Sequence, residues 1–168
     1  LLPALAEQYD FKGRSLMTKK AIFVIILAAF LIGVYADGSA KDIPMKDIEK
    51  QLIKNTDIEK MEKCSNRDLM HFFNLDYEQY DSHIYYKGKE ALSVEEILII
   101  KANHKDDLNA VKDAVEKRID SQISTFEGYG PQQVALLKNS IVITKGKYLF
   151  YATGKNADTI KEVFTDAV

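Results

Sequence analysis

Three histidines, one cysteine and a tyrosine-rich chain set the limits on chemistry. His71, His83 and His104 share no HxH, HxxxH or HExxH spacing and fall on three different elements, so spacing points to no zinc site. Cys64 is alone, which excludes an intrachain disulfide. It reads either as a reactive thiol or as a small half-buried filler at a helix end. No neighbouring residue points to thiol chemistry, so the filler is favoured. No GxSxG elbow and no phosphate-cradling glycine loop is present. Asp and Glu are plentiful, but position singles out no two of them as an acid–base pair. Dispersed carboxylates on helix surfaces serve solvation.

Two groups of residues remain. Arg118 and Gln122 lie four apart and share a helix face, with Glu127 and Tyr129 just beyond the helix end. They either bond loop carbonyls around Gly128–Gly130 and fix the chain reversal, or line a ligand pocket there; the structural reading is favoured. The second group is aromatic: Tyr77, Tyr80, Tyr85, Tyr86, Tyr148 and Tyr151. Adjacent residues on a strand point to opposite faces, so one of Tyr85 and Tyr86 is expected to be exposed. It is either a partner surface or an ordinary surface tyrosine, and the second reading is favoured. The absence of Trp weighs against a sugar-stacking platform. No cofactor and no metal are expected.

These residues hang on a stretch from Glu95 to Pro131. Its strand, read as 94–102, has Ile97-Leu98-Ile99-Ile100 at its centre. That run is apolar on both faces and implies a central strand covered on both sides. Glu95, Glu96 and Lys101 are expected at its ends, in reach of water. Asn103 is read as the cap of the following helix, whose first turn carries Asp106 and Asp107. Leu108, Val111, Val115, Ile119 and Phe126 recur at helical steps until Gly128 stops the run. Asp113 and Lys117 make an i, i+4 pair on its outer face.

Around this stretch, residues 44–73 read as two or three short helices. Pro44 suits a first turn, and Ser65 with Asp68 forms a capping box. Residues 82–87 read as a strand. Pro131 starts a short helix, and Lys145-Gly146 joins two strands in a hairpin. Residues 157–164 close the chain as a helix. The expected fold is α+β: a four-stranded, mostly antiparallel sheet in the order ββα(α)ββα, preceded by short N-terminal helices that pack on it.

The 168 residues are 46% hydrophobic, which suits one globular domain with an added apolar segment. Met17-Thr-Lys-Lys leads into sixteen uncharged residues, 21–36, ending Val34-Tyr35-Ala36. A basic start, an apolar run and a small-residue end are the parts of a secretory signal, with cleavage expected after Ala36. An uncleaved anchor is the alternative, although the run is shorter than the roughly 20 residues of a comfortable span. Residues 1–16 read as an upstream extension or an added remnant, 17–36 as signal or anchor, 37–43 as a flexible linker and 44–168 as a single domain. The domain is thus expected outside the cytoplasmic membrane, secreted or membrane-anchored. Residues 37–168 carry a net charge of −4. This gives no electrostatic footprint for phosphate backbones, so nucleic acid is not expected as a partner.

Glu96-Ile97-Leu98-Ile99-Ile100-Lys101, then Val115-Glu116-Lys117-Arg118, Gln122, Phe126, Tyr129 and Pro131 together resemble the family of domains of unknown function 4358. Lys138-Asn139-Ser140-Ile141-Val142, Gly146-Lys147-Tyr148-Leu149-Phe150 and Phe164 extend the resemblance over roughly Ile43 to Phe164. It implies a small exported protein of Gram-positive bacteria. Many such proteins carry a lipid-accepting cysteine after the signal, which this chain lacks. The family brings no activity, so no catalytic residue is carried over.

The expectation for function is a non-enzymatic binding module of the cell envelope, partnered by an envelope protein or a wall component. It would touch the membrane only through its N-terminal segment. The alternatives are a small enzyme or enzyme accessory in cell-wall or exopolysaccharide modification, and a solute-binding domain.

Overall fold

The computed structural model describes residues 20–31 and 40–168. The chain divides into two units, Leu1–Ser39 and Ala40–Val168. In the first, helix α1 covers residues 20–31, from Lys20 into the apolar run, with its side chains exposed. Among the described residues no helix is long and apolar enough to cross a membrane. The upstream extension and the cleavage site after Ala36 lie outside the described residues.

The second unit runs α2 (Met45–Asn55), a 3-10 turn at Ile58–Lys60, β1 (Glu62–Lys63), α3 (Asn66–Phe73), β2 (Ser82–Lys87) and β3 (Glu96–Lys101). It continues with α4 (Leu108–Phe126), α5 (Pro131–Lys138), β4 (Ile141–Lys145), β5 (Tyr148–Thr153) and α6 (Ala157–Ala167). The strands form one sheet in the order β1-β2-β3-β5-β4, every pairing antiparallel. The α+β class stands, but the sheet has five strands, not four, and β1 interrupts the N-terminal helices. Glu62 pairs with Lys87 and Lys63 with Tyr86. A charged dipeptide has no alternation to read, and its extended state is imposed by the edge of β2.

Alternation along β2, β3 and β5 builds two cores. Ile84, Tyr86, Ile97, Ile99, Phe150 and Ala152 face α2 and α6. Tyr85, Leu98, Ile100, Leu149 and Tyr151 face α3 and α4. Ile97 to Ile100 are all 0% exposed, so β3 is the covered central strand that its unbroken apolar run implies. Each such side chain contributes roughly 1.5–3 kcal/mol by leaving water.

The capping box at α3 is present: Ser65 Oγ accepts from the Asp68 amide and Asp68 accepts from the Ser65 amide. At α4 the cap differs from expectation. His104, not Asn103, opens a 3-10 turn at Lys105–Asp107, and its amide donates to Asp107 Oδ2. Asn103 instead donates to the Gln79 carbonyl. On the outer face of α4, Lys112 and Glu116 approach at 3.9 Å. Gly128, at φ 96°, ends the helix as expected.

Residues 40–43 are docked, although the sequence reads them as linker. Ile43 donates its amide to Tyr148 Oη at 2.9 Å, and that hydroxyl donates to the Ile43 carbonyl at 2.7 Å. Asp42 pairs with Lys101 at 2.7 Å. Ala40 packs over the hairpin turn, where a Cβ on Gly146 would come within 2.6 Å of its own. The body of the unit is therefore entered at the Lys101–Tyr148 end of the sheet.

Candidate functional site

The polar set singled out in the sequence does not gather at the helix end. Arg118 turns away from the Gly128 reversal and onto the sheet, where it meets Glu96. Gln122, one turn on, is 8% exposed. Its Oε1 is buried without a hydrogen-bond partner among the described residues. Tyr129 stands 62% exposed beside Phe126. The three share no pocket.

Glu96 is the residue that sequence reasoning missed. It was expected at a strand end in water, yet it is 2% exposed. Its phase explains why: Glu96, Leu98 and Ile100 share the β3 face that α4 covers. Each carboxylate oxygen accepts two bonds. Oε1 receives Arg118 Nη2 at 2.7 Å and Tyr85 Oη at 3.0 Å. Oε2 receives Arg118 Nε at 3.4 Å and Tyr151 Oη at 3.3 Å. The guanidinium fork thus lies along the carboxylate, and its other contact is the Phe72 ring, 4.8 Å from centroid to Cζ. Burial works against the Arg118 charge, but Glu96 more than offsets it and holds the group firmly protonated. Burial, then the Glu96 charge, pushes the Tyr85 and Tyr151 hydroxyls well above the usual phenol range. Such groups donate hydrogen bonds and do not act as bases. This is a fully satisfied internal lock.

Tyr85 and Tyr86 point to opposite faces as alternation requires, but neither is exposed: they are 1% and 6% accessible. Both faces of the sheet are covered, so a change of face does not bring a side chain to water. Tyr86 donates to Glu49 Oε1 at 2.7 Å on the α2 side, where Lys63 also reaches Glu49. Burial pushes the Cys64 thiol up to about 12, which keeps it protonated at neutral pH. Among the described residues no group of three or more His, Cys, Asp or Glu side chains could hold a metal.

What the structure does open is a cleft of about 650 Å³ at the far end of the sheet from residues 40–43. Its floor is apolar: Ile58, Met61, Val94, Ile97, Leu136 and Ile160. Its rim carries both signs of charge in Asp57, Lys60, Lys89, Glu90, Glu95 and Lys155. Gln132, Gln133 and Asn156 add amides. One wall is the loop from Gly88 to Glu95, closed by the Gly88 amide donating to the Glu95 carbonyl at 2.8 Å. Ser93 Oγ accepts from the Glu95 amide, and a Cβ at Gly88 would overlap that hydroxyl. The other wall turns at Gly154, φ 128°, where a Cβ would also press on Glu95 Cγ at 2.9 Å. Gly88 and Gly154 are the sequence signal for this cleft. Spacing does not join them, because the four segments that converge on the cleft are far apart in the chain.

No curated protein and no solved structure matches the chain. A family model described as "Domain of unknown function (DUF4358)" matches residues 54–154, more than half of the sequence. That span reaches from the end of α2 to the Gly154 turn and takes in the Glu96–Arg118 lock and most of the cleft. The chain belongs to the DUF4358 family.

Proposed function

We propose that this protein is a non-catalytic binding module of the cell envelope, working outside the cytoplasmic membrane, and that the cleft is where it binds. The observation that carries the reading is the cleft itself, with an apolar floor and a polar rim held between two pinned walls. Its volume lies within the roughly 300–1,000 Å³ of small-ligand sites. The buried acid, cation and phenols support the same reading, because they are spent on one another in the Glu96 lock. The extracytoplasmic placement rests on the basic-then-apolar pattern of residues 17–36.

The test is capture from the surface of the producing cell with the full chain. The charge-reversed variant K89E/K155E runs beside the wild type, and both are assayed for hydrolysis of wall glycan. Capture of an envelope component that the variant loses supports the module. Glycan hydrolysis with no captured component would overturn it in favour of an enzyme. Protease added to intact cells should also digest the domain; protection would overturn the placement.

A further inference from the structure

We propose that the cleft takes a short free peptide, with an apolar side chain on its floor and its two charged termini on its rim. The inference rests on the cleft being the binding site and adds the class of ligand. Four rim charges carry it. Among the described residues Lys89, Lys155, Glu90 and Glu95 enter no ion pair, whereas the neighbouring Lys60 is held by Asp57 at 3.0 Å. Two cations and two carboxylates, all without a partner, face one concavity whose net charge is near zero.

That balance discriminates among ligands. A phosphorylated or otherwise polyanionic ligand would meet Asp57, Glu90 and Glu95 as readily as the lysines. A sugar ring is best held by an aromatic face, and none of the lining side chains is aromatic. A wholly apolar ligand would leave the charged rim unpaired around it. A free peptide matches each part. Its carboxylate suits the lysines and its ammonium the carboxylates, by charge-assisted bonds. Its backbone amides suit Gln132, Gln133 and Asn156, each of which offers both a donor and an acceptor. Its side chain suits Val94, Leu136 and Ile160.

Glu95 is also set in advance. It stands on Gly154, whose missing Cβ leaves room for it, and its own backbone is bonded on both sides to the Gly88–Ser93 loop. A residue held in this way before binding loses less freedom on binding, which raises affinity for a small ligand.

The experiment is an amide-shift titration of the labelled full chain with the tripeptides Ala-Leu-Ala, Ala-Lys-Ala and Ala-Glu-Ala. Each is then repeated with an acetylated N-terminus and an amidated C-terminus. Saturable shifts are expected at the amides of Gly88, Glu95, Gly154 and Asn156 with free Ala-Leu-Ala, and weaker ones with the two peptides whose central side chain is charged. Stronger binding of either charged peptide would overturn the apolar side chain on the floor. The blocked form, and K89E/K155E with the free form, should each bind at least about tenfold more weakly. Equal binding of free and blocked forms would overturn the recognition of termini while leaving the cleft as a binding site. Cleft shifts with a β-1,4-linked N-acetylglucosamine disaccharide but with no peptide would overturn the peptide class alone. No shift in the cleft with any probe, joined to partner capture that K89E/K155E does not change, would overturn both this inference and the reading beneath it.

Discussion

Arg118 Nη2 donates to Glu96 Oε1 at 2.7 Å across the α4–β3 interface, 22 positions apart in sequence. The pair sits under cover, with the side chains 19% and 3% accessible. Removing one member of such a pair strands the other charge. Arg118→Met is expected to cost about 3–5 kcal/mol in denaturant unfolding. The double variant E96Q/R118M keeps an oxygen acceptor for one tyrosine and an amide nitrogen that can donate to the hydroxyl of the other, and should recover more than half of that loss. Additive losses would show that the pair is not coupled.

Tyr85 and Tyr151 bond opposite oxygens of the same carboxylate. Tyr85→Phe is expected to cost about 1.5–3 kcal/mol, as a hydrogen bond to a charged group does. Tyr151→Phe should cost less, because its bond is 3.3 Å long against 3.0 Å. The double variant should depart from additivity, since both act through Glu96.

Tyr148 holds both polar groups of Ile43 with one hydroxyl. Tyr148→Phe is expected to cost about 1 kcal/mol and to abolish hydrogen-exchange protection at the Ile43 amide. Protection at the β3 amides should stay. Unchanged protection at Ile43 would mean that residues 40–43 are held by something else.

Burial, assisted by the Lys63 charge, lowers the affinity of His83 for a proton below its ordinary value of 6.5. The unfolded chain then binds the proton first as pH falls. Stability should therefore decline as pH drops below about 6.5 and level off once the folded-state value is passed. Melting curves between pH 7.5 and pH 5 follow this, and His83→Gln should flatten the decline.

The core was legible from residue pattern, and the polar interior was not. The Leu108–Phe126 stripe and the Ile97–Ile100 run gave α4 and β3 because periodicity and burial have one cause. β1 escaped because Glu62 and Lys63 are extended only by pairing with β2. Glu96 escaped because a charge at a strand end ordinarily reaches water, and Arg118 lies too far along the chain for spacing to join them. Counting its phase against Leu98 would have placed it on the α4 face. The cleft is built from four distant segments, so no local pattern contains it. Of the candidate residues, Arg118 proved to be a core partner of Glu96, and Tyr85 and Tyr86 are internal. Gln122 and Tyr129 lie apart from the cleft lining.

The most direct test of the cleft as the binding site is a photo-crosslinking residue placed at Leu92 in the full chain and irradiated on the producing cell. Leu92 lines the cleft and is 60% exposed. Met70, on α3 and 43% exposed, serves as the control position. A discrete adduct is expected from Leu92 and none from Met70, with excess ligand suppressing the first. Adducts from Met70 alone, or equal adducts from both positions, would contradict the account.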